Sequence, residues 1–254
     1  MTYCVAVLLQ AGMVFGSDSR TNAGLDNFAT FCKMTVFERS GDRVLVLLSS
    51  GSLAGTQAVI SLLRQRADDS NGGDTLWTAR TMFDVMLLVS DVVRKVQQRD
   101  AAYLEASGSG FNASFLVGGQ IRGEAPRLFR MYAEGNFIEA SADTPFLQTG
   151  EAKYGKPIID RVIHADTSLA DAAKCVLVSF DSTMRSNLSV GMPIDLIAYE
   201  RDSLAITHRR RFGDGDAEFA ELSSAWGVGV RQVFRDLQDV NWQEENHSAF
   251  AAPE

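Results

Sequence analysis

Apolar positions in the first fifty residues come in short runs rather than at helical spacing. TYCVAVLL and MVFGSDS are β-rich stretches separated by Gln10-Ala11-Gly12, which predicts a hairpin with Gly12 supplying the positive φ of the turn. In TFCKMTVFERSGDRVLVLLSS one strand is predicted through Phe37, a turn at Ser40-Gly41-Asp42, and then the strand VLVLL, ended by Gly51. VLVLL does not alternate, so burial on both faces is expected. The period then changes. From Ser52, a plausible N-cap, apolar side chains at Leu53, Ala58, Val59, Leu62 and Leu63 predict a helix closed by the loop SNGGD. A longer helix is predicted from about Thr75 to Glu105, with Phe83, Met86, Leu87, Val92, Val93 and Val96 on one apolar face.

Short strands follow in SFLVGGQ, APRLFRMYAEG and NFIEAS, with AEGN the clearest turn signal, and TPFLQTGEAKYGKPIID reads as irregular. DTSLADAAKCVLVSFDSTM predicts a helix opened by a Ser or Thr cap, and PIDLIAYERD with SLAITHRRRF a further hairpin. The last helix, GDGDAEFAELSSAWGVGVRQVFRDLQ, is expected to be weakened by Gly227 and Gly229. The tail WQEENHSAFAAPE reads as a frayed end or an assembly contact. Hairpin pairs interrupted by helix pairs do not make a doubly wound parallel sheet. They fit an α+β four-layer αββα sandwich, two mostly antiparallel sheets face to face with helices outside. No repeat or Pro-rich linker divides the chain, so residues 1–254 are taken as one domain.

Composition narrows the function classes. With 254 residues, 46% hydrophobic and 22% charged, the chain can bury a sizeable core and reads as soluble and globular. A net charge of −8, with basic residues scattered apart from Arg209-Arg210-Arg211, argues against a nucleic-acid footprint. That run reads as a solvated strand end. Cys4, Cys32 and Cys175 are odd in number and set in apolar sequence, so buried free thiols of a reducing compartment are expected. His164, His208 and His247 are dispersed without metal-ligand spacing, and no metal or cofactor is implied. CVAVLL lacks a basic flank and is interrupted by Gln10 and Gly12, unlike a signal peptide. With no run of about 18 apolar residues, no membrane association is expected and the cytoplasm is the default location.

Candidate chemistry begins at Thr2. Were Met1 removed, Thr2 would carry both a hydroxyl and a free α-amine, whose ordinary pKa of about 7.7–8.0 suits it to take the hydroxyl proton. Asp18 closes the second strand of the first hairpin, which brings it back beside the start of the first. Lys33 is expected within a strand between apolar neighbours, partly desolvated, with Asp18 as its counter-charge and a field that favours loss of the threonine proton. Its alternative is a solvated edge lysine, and that of Asp18 a turn residue paired with Arg20. Gly51, between a buried strand and a helix, can direct a backbone N–H at the oxygen of a tetrahedral intermediate.

TYCVA, SDSRTNAG, FCKM, SSGSLAG and RSNLSVGMPIDL together resemble the proteasome β-subunit family of N-terminal nucleophile hydrolases, in the bacterial branch called Anbu. The resemblance covers nearly the whole chain and implies a C-terminal extension from about residue 214. It implies Thr2 as nucleophile, Asp18 and Lys33 as its activating pair, and Gly51 as oxyanion donor. Ser186 and Ser189 fall where proteasome subunits place side chains that steady the threonine amine. Two positions depart from the family pattern. Gln148-Thr149-Gly150-Glu151 stands where a Gly-Ser-Gly turn is usual, with Thr149 one residue from the expected serine, and Gly55 replaces a common aspartate.

With no propeptide ahead of Thr2, loss of Met1 alone is expected to release the amine. The leading expectation is a threonine hydrolase of peptide or protein amides acting in a homo-oligomer, an open spiral or ring. Trp226, Trp242 and the apolar residues after Thr75 exceed what one sandwich must bury, which also points to subunit contacts. The alternatives are an amidase or transpeptidase on a small peptide-like metabolite, or a weakly active assembly scaffold. Nothing in the sequence identifies an ATPase partner.

Overall fold

The computed structural model describes residues 2–22, 28–68 and 73–242, with the side chains of Asn22 and Phe28 excepted. Met1, Ala23 and Gly24 of SDSRTNAG, Ser70 to Gly72 of the predicted loop, and the tail from residue 243 with His247 lie outside the described residues.

The chain order is β1 (Tyr3–Leu9), β2 (Gly12–Asp18), β3 (Arg20–Asn22), β4 (Phe28–Thr30), β5 (Met34–Arg39) and β6 (Arg43–Gly51), then α1 (Leu53–Asp68) and α2 (Met82–Ala106). β7 (Ala113–Ile121), β8 (Arg127–Met131), β9 (Phe137–Glu139) and β10 (Phe146–Gly150) follow, then α3 (Ala152–Val162) and α4 (Leu169–Ser186). β11 (Ile194–Glu200), β12 (His208–Phe212) and α5 (Ala217–Asp236) complete the order. One sheet runs β10-β1-β2-β11-β12, the other β5-β6-β7-β8-β9, and β3-β4 form a separate ribbon. Their strand pairs are antiparallel.

Three apolar seams separate four layers, which makes the protein an αββα sandwich. Between the sheets lie Cys4 and Ala6 of β1, Met13 and Phe15 of β2, and Val44, Val46 and Leu48 of β6. The alternate residues of the same strands face helices. Tyr3, Val5 and Val7 pack with Ile159 of α3 and Val176 and Phe180 of α4. Leu45 and Leu47 pack with Val59 and Leu63 of α1 and Val85 and Val89 of α2. A strand covered on both faces has no polar side to advertise, which is why VLVLL does not alternate. All five of its side chains have zero exposure, each worth about 1.5–3 kcal/mol relative to solvent.

Several elements differ from the sequence reading. The strand predicted through Phe37 is interrupted: β4 ends at Thr30 and β5 begins at Met34, so Lys33 sits in the break rather than within a strand. The second helix begins at Met82, not Thr75. Thr75 and Thr78 bond the local backbone, with Thr75 N–H to Thr78 Oγ1 at 2.8 Å and Trp77 N–H to Thr75 Oγ1 at 3.1 Å. Threonine hydroxyls thus hold a turn in place of a helix. Thr81 and Asp84 then form a reciprocal capping box at the true start. The stretch read as irregular holds β10 and α3. Gly155 and Pro157 disguise that helix, yet Gly155 is where α3 crosses closest to Tyr3, a Cβ there falling 2.4 Å from the Tyr3 hydroxyl. Cys32 is exposed, while Cys4 and Cys175 are buried. Arg209 to Arg211 lie exposed on β12, the edge strand of its sheet.

α5 runs unbroken through Gly227 and Gly229, capped by Asp216, whose side chain accepts from Phe219 N–H at 3.1 Å. Phe219 and Leu222 join the seam over the first sheet. Beyond them the helix is largely bare: Trp226, Val230, Val233, Phe234 and Leu237 are exposed at helical spacing. Among the described residues no helix is long and apolar enough to cross a membrane.

Candidate active site

The β1–β2 register, with Cys4 opposite Ser17, carries Asp18 back to the first residue of β1. There Tyr3 N–H donates to Asp18 Oδ1 at 3.0 Å. Lys33 Nζ donates to the same oxygen at 2.9 Å and to the Arg20 carbonyl at 2.6 Å. The lysine is fixed at its other end too, since its own carbonyl accepts Ser49 N–H from β6 at 2.9 Å. Lys33 is 7% exposed and Asp18 fully buried, so both charges are largely removed from water. Burial pushes the Asp18 carboxyl up to about 6, against the lowering effect of the Lys33 charge and its hydrogen bond. Asp18 Oδ2 has no hydrogen-bond partner among the described residues.

Thr2 is positioned through its backbone. Its carbonyl accepts Glu151 N–H at 2.7 Å. Gly150, at φ +79°, passes so close that a Cβ would lie 1.9 Å from that carbonyl oxygen, a space only glycine allows. Gly51 closes the opposite side. At φ +100°, with Asn112 O 2.3 Å from where a Cβ would stand, it is a second position restricted to glycine. Thr2, Lys33 and Gly51 line one cavity of about 780 Å³, with Asp18 directly behind Lys33. The structure thus brings these four residues of the sequence reading to one place.

The remaining predicted residues lie further out. The Arg20 guanidinium rests against Gly191, where a Cβ would be 2.3 Å from its Cζ, and Nη1 reaches Leu188 O at 3.4 Å. It ties the segment after α4 to β3. Ser186 is the exposed last residue of α4, and Ser189 is half-buried with its N–H on Asn187 Oδ1 at 2.9 Å. Neither serine lines the cavity.

Three features escaped the sequence. Ser50 and Thr149, joined Oγ to Oγ1 at 2.7 Å, clasp the two sheets at the cavity wall. Thr149 was visible only as a departure from a family turn. Asp195, buried on β11, accepts Ser19 Oγ at 2.7 Å beside Asp18. Arg130 of β8 also lines the cavity, and no local signal in RLFRM marks it. Among the described residues no group of three His, Cys, Asp or Glu is arranged to hold a metal ion.

Two facing antiparallel sheets under outer helices, with a cavity at the start of the first strand, define the proteasome-subunit class of sandwich. The proteasome subunit family model matches residues 2–197. Among solved structures, Anbu (ancestral beta-subunit) from Yersinia bercovieri is 46% identical over 95% of this chain and all of its own, with a TM-score of 0.89. An Anbu (Gly-1) mutant from Hyphomicrobium sp. strain MC1 is 49% identical over the same shares, also at 0.89. The helical assembly of the Anbu complex from Pseudomonas aeruginosa is 47% identical over 98% of this chain and all of its own, at 0.90. No curated protein matches the chain. The chain belongs to the proteasome subunit family, in its Anbu branch.

Proposed function

We propose that the protein is a threonine hydrolase of amide bonds in peptides or proteins, working as a homo-oligomer after removal of Met1. One observation carries this reading: the residue next to Thr2 and the Lys33 ammonium converge on a single buried carboxylate oxygen, at the wall of a cavity that Thr2 itself lines. A buried ion pair in that place is expensive as scaffolding and useful as an activating device.

In the proposed reaction Thr2 Oγ attacks the substrate carbonyl carbon and its proton passes to the Thr2 α-amine. Lys33, paired with Asp18 at 2.9 Å, favours that transfer electrostatically. The Gly51 N–H receives the oxyanion of the tetrahedral intermediate. The C–N bond then breaks, the departing amine takes the proton from the α-amine, and an ester to Thr2 remains. Water, deprotonated by the same amine, attacks that ester and releases the acid. Arg20 is assigned a positioning role through its contact with Gly191. Ser186 and Ser189, outside the cavity wall, are assigned to the support of that segment, and Ser50 with Thr149 to the wall itself.

Self-association is proposed from the bare apolar stripe on α5, which no described residue covers, and from the assembled state of the Pseudomonas aeruginosa relative. Residues from about 214 are read as an extension serving that contact, the rest as a single hydrolase domain. The cytoplasm is the proposed location.

The test is intact mass before and after incubation with a β-lactone. The expected result is a chain lacking Met1 that gains one adduct, mapped to Thr2. In Thr2→Ala the adduct is absent and hydrolysis falls by roughly 10⁴-fold. An active preparation that retains Met1, or an adduct that survives Thr2→Ala, overturns the mechanism.

A further inference from the structure

The charged groups of the cavity are unevenly matched. Among the described residues its lining carries Lys33, Arg64 and Arg130 against one acid, Glu151, in a chain whose net charge is −8. Lys33 is committed to Asp18. Arg64 projects from α1, exposed, and no ion pair to a carboxylate within 4 Å is formed by it or by Arg130 among the described residues.

Arg130 is the unusual one. It is half-buried, and its β8 neighbour in alternation, Leu128, belongs to the seam between the sheets. Its Nε is shielded from solvent and has no hydrogen-bond partner among the described residues, while the face of the guanidinium lies 4.9 Å from the Tyr132 ring centroid. The ring engages the face of the guanidinium, and no described carboxylate pairs with its N–H groups. Thr21 Oγ1, in the lining of the same cavity, is likewise buried without a partner among the described residues. A cation in the cavity lining that no described carboxylate neutralises suits a ligand that brings acceptors and negative charge. A carboxylate fits a guanidinium edge through two parallel hydrogen bonds. Glu151 belongs to the other side of the site: its N–H holds the Thr2 carbonyl next to β10, whereas Arg130 and Arg64 stand on the second sheet and on α1, the helix packed over it.

We propose that the cavity beside Thr2 selects an acidic substrate side chain, with Arg130 as the specificity-determining residue and Arg64 as a secondary counter-charge. The assignment rests on the hydrolase reading for what happens next, but binding of the side chain does not depend on it. A substrate would present aspartate or glutamate next to the bond placed at Thr2, and a lysine at that position would be repelled.

The experiment compares N-acetylated, C-amidated tripeptides ending in glutamate or glutamine, isosteres that differ in charge, by calorimetric titration of the full chain. The glutamate peptide is expected to bind about tenfold more tightly, an advantage that shrinks as salt is raised. Arg130→Gln is expected to reduce the ratio below about threefold, and Arg64→Gln, at an exposed position where folding is not at risk, to lower it by a smaller factor. Equal affinities in the unsubstituted protein, or a ratio untouched by both substitutions, overturn the proposal. β-Lactone labelling of the same samples reads the nucleophile separately. Labelling of Thr2 without a glutamate preference removes the pocket assignment alone; a glutamate preference without labelling supports the pocket and removes the hydrolase.

Discussion

Two buried polar clusters occupy opposite ends of the sandwich, and only one is complete. Gln120, far along β7 from the cavity, has both halves of its amide matched: Oε1 accepts from Tyr199 OH at 2.6 Å and Asp202 N–H at 2.9 Å. Its Nε2 donates to Glu124 O at 2.8 Å and Asp202 Oδ1 at 2.5 Å. At the other end, the buried side-chain atoms without a partner among the described residues are Ser17 Oγ, Asp18 Oδ2, Thr21 Oγ1 and Arg130 Nε. Two of these residues line the cavity and two close the strand beside Thr2. A network whose task is to hold the fold is satisfied within the fold. One whose task is to meet a substrate leaves capacity for it, at a cost in stability.

That contrast can be broken at three points. Lys33→Met should have the largest effect on stability, about 3–5 kcal/mol in urea unfolding, because it strands a fully buried carboxylate. Thr2 labelling should fall with it. Gln120→Leu should cost less, about 1–3 kcal/mol, by leaving Tyr199 OH and Asp202 N–H unmatched. Thr2 labelling should be unaffected there, since Gln120 is remote from the cavity. A larger loss for Gln120→Leu than for Lys33→Met would reverse the order on which the comparison stands.

The third effect is a pH dependence. Burial raises the Asp18 carboxyl to about 6, so folding favours its protonated form. Its contribution to stability is complete below the ordinary carboxylate value near 4 and is lost as pH rises to about 6. The unsubstituted protein should therefore lose stability relative to Asp18→Asn across that window. Thr2 labelling should move the other way, with an acid limb near pH 6 as Asp18 ionises and completes the ion pair. Flat difference curves from pH 4 to 7 would mean that Asp18 is ionised throughout.

The sequence was most readable where local chemistry and tertiary packing agree. The first hairpin, α1 from Ser52, α4 from its Ser168 cap and the β11–β12 pair all follow from periodicity and turn residues. Reading failed where a side chain acts across distance. Gly155 and Pro157 weigh against a helix in any local account, and the closeness of Gly155 to Tyr3 appears only once α3 is docked on β1. Thr75 resembled helix because its competing bonds to Thr78 are not visible as spacing. Cys32 looked buried from its apolar neighbours but lies in the break before β5, at the cavity.

By itself the sequence determined the four-layer plan and which residues to look for at the candidate site, because alternation, caps and turn residues are local facts. Only the tertiary structure decided that Tyr3 N–H and Lys33 share one oxygen of Asp18, and that Arg130 lines the same cavity as Lys33. The reason is physical: burial and the convergence of charges depend on which strands of two different sheets come to face one another, and no stretch of one strand encodes its opposite wall.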